Sequence, residues 1–404
     1  MGSRKLVNIT LAAVAGAVAV FGTGSVGAAD WSFDPRVAVS GEYNDNQHLT
    51  EASGTVVKVS GAALDALVAL RAVTQRSSVS LTPRLTGTYY PGDSDEETNS
   101  QSVRLVADHK TQKVSVSFDA SYDREDLLWG YLPTAEATDA LGNPVRGEGI
   151  SNSEIRNKSN RFDVLPSLSV KLSPRSGLDF GLEYLDVQYS QQVENESISY
   201  TYLNAFTALR YLLSETSQLK FTGGVGRYEP VDAVDTTGYW LTAEWSRRFS
   251  DTAEWYVRGG FNRIETTDVG DDLKWENGFS GGAGVRWRWE VTGISLDAMH
   301  YADPNSTGSV VNRDQLQFWL SRQLRPLVNL YVGARAIKDS GVGSDSTFRD
   351  RDYATGTLGF EWRFSRQFAL SGNYTYFWRE YQDAASDAQS NTASLAVVYE
   401  PKRQ

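Results

Sequence analysis

The sequence has no cysteine and only 3 histidines, 2 methionines and 11 prolines in 404 residues. Without cysteine there are no disulfides and no thiolate metal sites. Three histidines leave little scope for a histidine-rich metal centre. No glycine-rich phosphate loop follows a strand and opens a helix, so nucleotide binding has no support, and no metal or cofactor is expected. Long apolar runs are also lacking, which argues against a helical membrane protein. Basic residues are outnumbered, 39 against 50, for a formal net charge of −11. That balance argues against a nucleic-acid partner. What is abundant is aromatic and small: 20 Tyr, 11 Trp and 35 Gly, with aromatics at 12%. A chain this aromatic is not expected to be disordered.

Residues 1–28 read as a secretory signal peptide. Arg4 and Lys5 supply the positive start, Leu11 to Phe21 the short apolar stretch, and Val26-Gly27-Ala28 a small-residue cleavage site, with Ala29 as a shifted alternative. The apolar stretch is shorter than the roughly 20 residues an anchor helix needs. The segment carries two basic and no acidic residues, so the mature chain would have a charge of −11 − 2 = −13. The expected organisation is a signal peptide over 1–28 and one domain over 29–404, exported across a bacterial inner membrane.

After residue 30 one pattern repeats: about ten residues of alternating polarity, then a polar break. In 356–364, Gly356, Leu358, Phe360, Trp362 and Phe364 share one face, opposite Thr355, Thr357, Gly359, Glu361 and Arg363. In 367–378, Phe368, Leu370, Gly372, Tyr374, Tyr376 and Trp378 oppose Ser371, Asn373 and Thr375, and 279–289 behaves likewise. Successive strand residues face opposite ways, so each segment has an apolar and a polar wall. Candidate strands are 36–44, 55–72, 78–90, 100–110, 112–122, 160–173, 177–189, 199–213, 217–228, 236–249, 253–264, 276–289, 292–302, 313–323, 327–338, 351–364, 366–379 and 391–400. Residues 55–72 change face near Ala62 and Ala63, which reads as a long strand with a bulge in preference to a short amphipathic helix.

A soluble sandwich also alternates. Three features favour a membrane barrel: aromatics near the segment ends, charge on many polar faces, and connections that are short and long in turn. Lys110 to Gln112, Ser173 to Ser176, Ser214 to Ser217, Ser250 to Thr252 and Phe364 to Arg366 would be periplasmic turns. Pro91 to Asn99, Thr266 to Lys274, Asp339 to Phe348 and Gln382 to Ser390 would be extracellular loops. The expected fold is all-β: a closed transmembrane antiparallel up-and-down barrel of about 18 strands in the bacterial outer membrane, surrounded by its lipid. An even count puts both termini in the periplasm. Gly223, Gly224, Gly259, Gly260, Gly281 and Gly282 would ease curvature or bulges. Tyr399 would serve as the closing aromatic.

With the polar face inward, the lumen acquires Arg84, Arg104, Lys113, Arg161, Lys171, Arg210, Lys220, Arg248, Arg258, Arg286, Arg288, Arg335 and Arg363. Against them stand Asp108, Asp119, Asp163, Asp179, Glu183, Glu244, Asp297 and Glu361. Such a wall leans basic, which favours anionic permeants, or it pairs across strands as a solvated network. Tyr90, Phe206, Tyr256, Trp319, Tyr331 and Phe377 also face inward. They either stack on sugar rings, with arginines beside them to hold acidic substituents, or fill space. The longest connection, Asp123 to Asn160, is a loop folded into the lumen or a surface loop.

Catalysis has little support. His48 lies in the first loop and His109 at a turn, and Ser295 and Asp297 face opposite His300. No catalytic residue is assigned, and the chain is not expected to be an enzyme.

The first strand and its exit read Asp34-Pro35-Arg36-Val37-Ala38-Val39-Ser40-Gly41-Glu42-Tyr43-Asn44-Asp45-Asn46, and Ser80 to Tyr90 ends in Tyr-Tyr. This start resembles the β-barrel porin-2 group, which includes EpsL-like outer-membrane proteins of exopolysaccharide and exosortase-associated gene clusters. Gln47-His48-Leu49 depart from the aliphatic residue that more often follows Asp-Asn there. The resemblance implies an 18-stranded barrel serving as the exit for a secreted polysaccharide, together with a periplasmic polysaccharide-export partner. The alternatives are a general or anion-selective diffusion porin, and a non-conducting structural or adhesion barrel.

Overall fold

The computed structural model describes residues 29–51, 54–92, 96–127, 157–191, 197–267, 273–306, 308–342, 350–381 and 386–401. The expected signal peptide, 1–28, lies outside them. Alternation becomes strand throughout: β1 (Asp30–Asn44), β2 (Val59–Val73), β3 (Ser77–Tyr89), β4 (Asn99–Lys110), β5 (Val114–Leu127) and β6 (Asn157–Lys171). Then follow β7 (Ser176–Tyr189), β8 (Tyr200–Ser214), β9 (Ser217–Pro230), β10 (Thr236–Ser250), β11 (Ala253–Thr267) and β12 (Leu273–Arg288). The last third holds β13 (Thr292–Pro304), β14 (Val310–Arg325), β15 (Val328–Gly341), β16 (Arg351–Trp362), β17 (Phe368–Tyr381) and β18 (Ala388–Tyr399). They form one 18-stranded sheet in which each strand pairs antiparallel with its sequence neighbours, and β1 also pairs with β18, so the sheet closes. Closure leaves no edge strand with unpaired backbone groups.

The two ends of the barrel differ. At one end the connections are two to five residues, from 215–216 to 363–367. Hydroxyls at the turn start make these tight: Thr74, Thr111, Ser173 and Ser365 each accept the backbone N–H three residues on, at 2.9–3.0 Å. Three other turns at this end shift the register, at Leu212/Ser214, Arg248/Ser250 and Gln323/Arg325. The opposite, loop end carries the longer connections.

Several boundaries move. Strands run further toward the loop end than the polarity suggested: β5 continues to Leu127, β6 starts at Asn157, β11 reaches Thr267 and β15 reaches Gly341. Asp339, expected in a loop, is inside β15, where two arginines neutralise it. The bulge expected near Ala62 is absent. β2 pairs with β1 in unbroken register from Val73↔Asp30 to Val59↔Asn44, without helix, because alanines pack on either wall. Nor do the glycine pairs mark bulges, since the register runs straight across Gly223–Gly224, Gly259–Gly260 and Gly281–Gly282.

The outward wall is apolar. Phe261 is 74% exposed, and Leu241, Leu85, Leu358 and Leu395 are exposed with it. A continuous apolar belt of this kind is far larger than the patches soluble monomers expose. At the turn end the belt finishes in aromatic pairs: Trp245–Trp255, Trp287–Trp289, Trp362–Phe364 and Phe368–Tyr399, with centroids 4.3–5.9 Å apart. Across β13–β17 it stops at a charged outward row, in which His300, Asp314, Lys338, Asp352 and Glu380 lie opposite one another in turn. This is the girdled profile of an outer-membrane barrel.

The Asp45-Asn46 step clasps the closing seam. Asp45 accepts the backbone N–H and side-chain amide of Asn391, at 2.7 and 2.8 Å. Asn46 is buried, donates to the carbonyls of Thr50 and Gln389 at 2.8 Å each, and accepts from Thr50 N–H at 3.0 Å. Asn46→Ala strands these buried groups. It should lower unfolding stability by about 1–3 kcal/mol, read as an earlier urea midpoint, and an unmoved midpoint would show that the clasp contributes nothing.

Candidate functional site: the lumen wall

In every strand pair the residues opposite each other share a face, so exposed apolar positions fix which parity points outward. Arg84, Arg104, Arg210, Tyr256, Arg258, Arg286 and Arg288 all take the other parity and lie on the inner wall. So do Trp319, Tyr331, Arg335 and Arg363, the last just past β16. Many of the arginines are paired across strands. Arg84 binds Asp65 at 2.8 Å, Arg104 binds Asp119, Arg210 binds Asp179 at 2.6 Å, and Arg363 bridges Glu361 and Glu400. Arg286 reaches Glu254 more loosely, at 3.6 Å. Arg258 donates to the Met299 sulfur and Arg335 to Gln315. Arg288 makes no ion pair among the described residues.

At the turn end the structure brings five of these residues together. A cavity of about 690 Å3 is lined by Arg248, Arg286, Arg288, Asp297, Gln317 and Trp319. Trp319 stacks on Tyr331, with centroids 5.4 Å apart and planes 17° from parallel. Tyr331 lies flat on the neighbouring strand because Gly359 sits opposite it. A Cβ at Gly359 would be 2.2 Å from the Tyr331 ring. Tyr256 lies over Gly284 in the same way and donates to Asp297 at 2.9 Å. Rings laid along a wall present one π face away from it. With arginines alongside, the cavity has both elements that bind an acidic sugar: a flat apolar platform and fork-shaped cations. The remaining predicted positions, Arg84, Arg104, Arg210, Arg258, Arg335 and Arg363, are spread around and along the barrel.

The loop end is packed. Tyr228 on β9 donates to the Asn305 carbonyl at 2.6 Å, Ile198 N–H donates to the Ser306 carbonyl at 2.7 Å, and Val310 packs on Leu185, Val187, Tyr200 and Tyr228. β7–β9 and β13–β14 are not neighbours in the sheet, so the β13–β14 connection leans across the interior. Either a loop folded into the lumen or a surface loop was expected from 123–160. Most of that segment, 128–156, lies outside the described residues. Among the described residues, the connection after Pro304 leans inward. Beside it, Arg313 is clamped by Asp303 and Asp339 at 2.7 Å each, and Arg351 holds Asp339 at 3.1 Å, all of them buried. On the first loop's side Tyr90 donates to Glu42, and burial, then that carboxylate, pushes the Tyr90 hydroxyl up.

Sequence reasoning passed over Arg313, Arg351 and Arg379, although strict alternation from Trp319 and Thr355 would have put the first two inward. Trp240 was also missed: Tyr239 and Leu241 flank it, so apolar residues occupy both parities there. It lies over Gly224 beside Phe206, whose ring lies over Gly181.

The model of the family described as outer membrane protein beta-barrel domain matches residues 242–400. With the closed sheet and the apolar belt, that match makes the chain a bacterial outer-membrane β-barrel. A comparison with curated proteins finds no match. Similar solved structures include Pseudomonas aeruginosa OccK2 (OpdF) in complex with glucuronate: 9% identity, TM-score 0.47, 92% of this chain and 98% of that one. The outer membrane protein OprD from Pseudomonas aeruginosa is 11% identical with a TM-score of 0.45, covering 92% and 93%. Acinetobacter baumannii OccAB3 is 8% identical with a TM-score of 0.44, covering 91% and 99%. At such identity they bear on no substrate of this chain.

Proposed function

We propose that the barrel is a passive outer-membrane channel and that its passenger is an exopolysaccharide on its way out, as for the EpsL-like proteins its first strand resembles. The observation that carries this reading is the Trp319–Tyr331 stack beside Arg286 and Arg288, in the cavity where a chain arriving from the turn end would enter. The stack offers a sugar ring a flat apolar surface, and the arginines suit acidic substituents. A periplasmic polysaccharide-export protein would deliver the chain at this end. The same wall also suits an anion-selective diffusion porin, because Arg288 has no carboxylate partner among the described residues.

The deciding measurement is single-channel conductance of the refolded barrel in a planar bilayer, with and without an acidic polysaccharide fragment. A steady open pore that the fragment transiently blocks supports the conduit, and Trp319→Ala should then weaken block about tenfold, the loss of roughly 1.4 kcal/mol. An open pore indifferent to the fragment leaves the diffusion porin. Absence of conductance refutes both and leaves a structural barrel.

A further inference from the structure

The inner wall of β7–β10 carries two rings laid on glycine seats, away from the turn-end arginines. Phe206 lies over Gly181, where a Cβ would be 2.2 Å from the ring, and Trp240 lies over Gly224, where it would be 2.5 Å away. Gly224 pairs with Phe206 on one side and with Trp240 on the other, so no side chain stands between the rings. Their centroids are 6.4 Å apart and their planes are 42° from parallel, which makes a shallow trough. Both rings are half-buried, so each keeps a surface toward the lumen.

A short chain of polar contacts sets the trough. Trp240 Nε1 donates to the Asn204 side-chain oxygen at 3.4 Å, and the Asn204 amide donates to Glu183 at 3.1 Å. Asn204 is buried, while Glu183, the next inward residue after Gly181 on β7, is half-buried at the edge of the trough. On β8–β11 the inward residues level with Asn204 and with Trp240 are all uncharged. The first inward cations of these strands, Arg210, Lys220 and Arg258, lie four residues nearer the turn end. The trough is also on the turn-end side of Tyr228, where the connection after Pro304 crosses, so that connection does not stand between it and the turn end.

Rings laid flat, with a hydrogen-bond acceptor at one edge and no cation alongside, suit an uncharged ligand that is apolar on its faces and hydroxylated at its rim. We propose that Phe206 and Trp240 form a subsite for a neutral sugar on the lumen wall. The pyranose ring stacks in the trough and a hydroxyl donates to the Glu183 carboxylate, which repels an acidic sugar. Trp240 is eight residues along β10 from Arg248, whose cross-strand row runs through Arg286 to Trp319. That is about 27 Å along the strand, too far for one sugar to touch both sites. The subsite rests on the channel reading only for the source of its sugar: under that reading, the passenger contains neutral units as well as acidic ones.

The test is calorimetric titration of the full-length barrel in detergent with maltohexaose, cellotetraose and hexagalacturonate, which needs no conduction. One or both neutral oligosaccharides should bind, equally well at low and high salt, because no ion pair is made. Trp240→Ala and Phe206→Ala should each weaken that binding about tenfold, and Trp240→Phe should lose less. Glu183→Gln, which keeps both rings and carries the test if the alanine variants do not fold, should weaken it about threefold. Lack of neutral-sugar binding, or binding that none of these substitutions weakens, overturns the subsite. So does an equal loss of hexagalacturonate binding in the same variants, which would remove the preference for neutral sugar. A barrel that binds the neutral sugar but does not conduct keeps the subsite and sinks the channel, while one that conducts but binds no neutral sugar does the opposite.

Discussion

Asp339→Ala should be among the most destabilising single substitutions in this barrel. Asp339 is fully buried and accepts from Arg313 at 2.7 and 2.9 Å and from Arg351 at 3.1 and 3.2 Å. Removing it takes away the carboxylate that both buried cations bind, while Asp303 stays on Arg313. Breaking a buried pair by deleting one partner costs about 3–5 kcal/mol, because the remaining charge is uncompensated. Asp303→Ala should cost less, since Arg313 keeps its two bonds to Asp339. Replacing Asp339, Arg313 and Arg351 together with apolar residues of similar size should recover much of the loss. Urea unfolding in detergent micelles reads all three. A loss below about 1 kcal/mol for Asp339→Ala would mean that solvent or another group reaches the arginines.

Reversing Arg286 and Arg288 to Glu should move the pore toward cations. Both line the turn-end cavity, and Glu254, 3.6 Å from Arg286, would then add to the negative charge. A unit charge about 10 Å from a permeating ion contributes on the order of 1 kcal/mol at an effective dielectric of ~30. With four units of charge changed, the anion-to-cation permeability ratio should therefore fall by at least about tenfold, seen as a shifted reversal potential under a salt gradient. The shift should shrink in 1 M salt, where the screening length is about 3 Å. A reversal potential that stays put would mean that ions do not pass this wall.

Much of the wall was legible because a strand has a period of two. Once Leu358, Phe360 and Trp362 were assigned to one face, Thr355, Glu361 and Arg363 had to take the other, and the register bears this out. The method weakened where composition blurs the period. The alanines of β2 suggested a bulge that the register does not contain, and Tyr239 and Leu241 hid Trp240. It also weakened at strand ends. Polar residues such as Asp339 read as loop, because a buried carboxylate and an exposed one look alike until their partners are known.

The strands, their alternating walls, the closed barrel and the inward parity of the arginines can be read from the order of residues alone. Those follow from backbone geometry and hydrophobic pattern, which are local. Which arginines are neutralised, that Trp319 stacks on a Tyr331 lying over Gly359, and that the connection after Pro304 crosses to β9 appear only in the folded barrel. Those depend on side chains separated by tens of residues and on the register between strands. No local pattern encodes that Arg313 is clamped by two carboxylates while Arg335 makes no ion pair among the described residues.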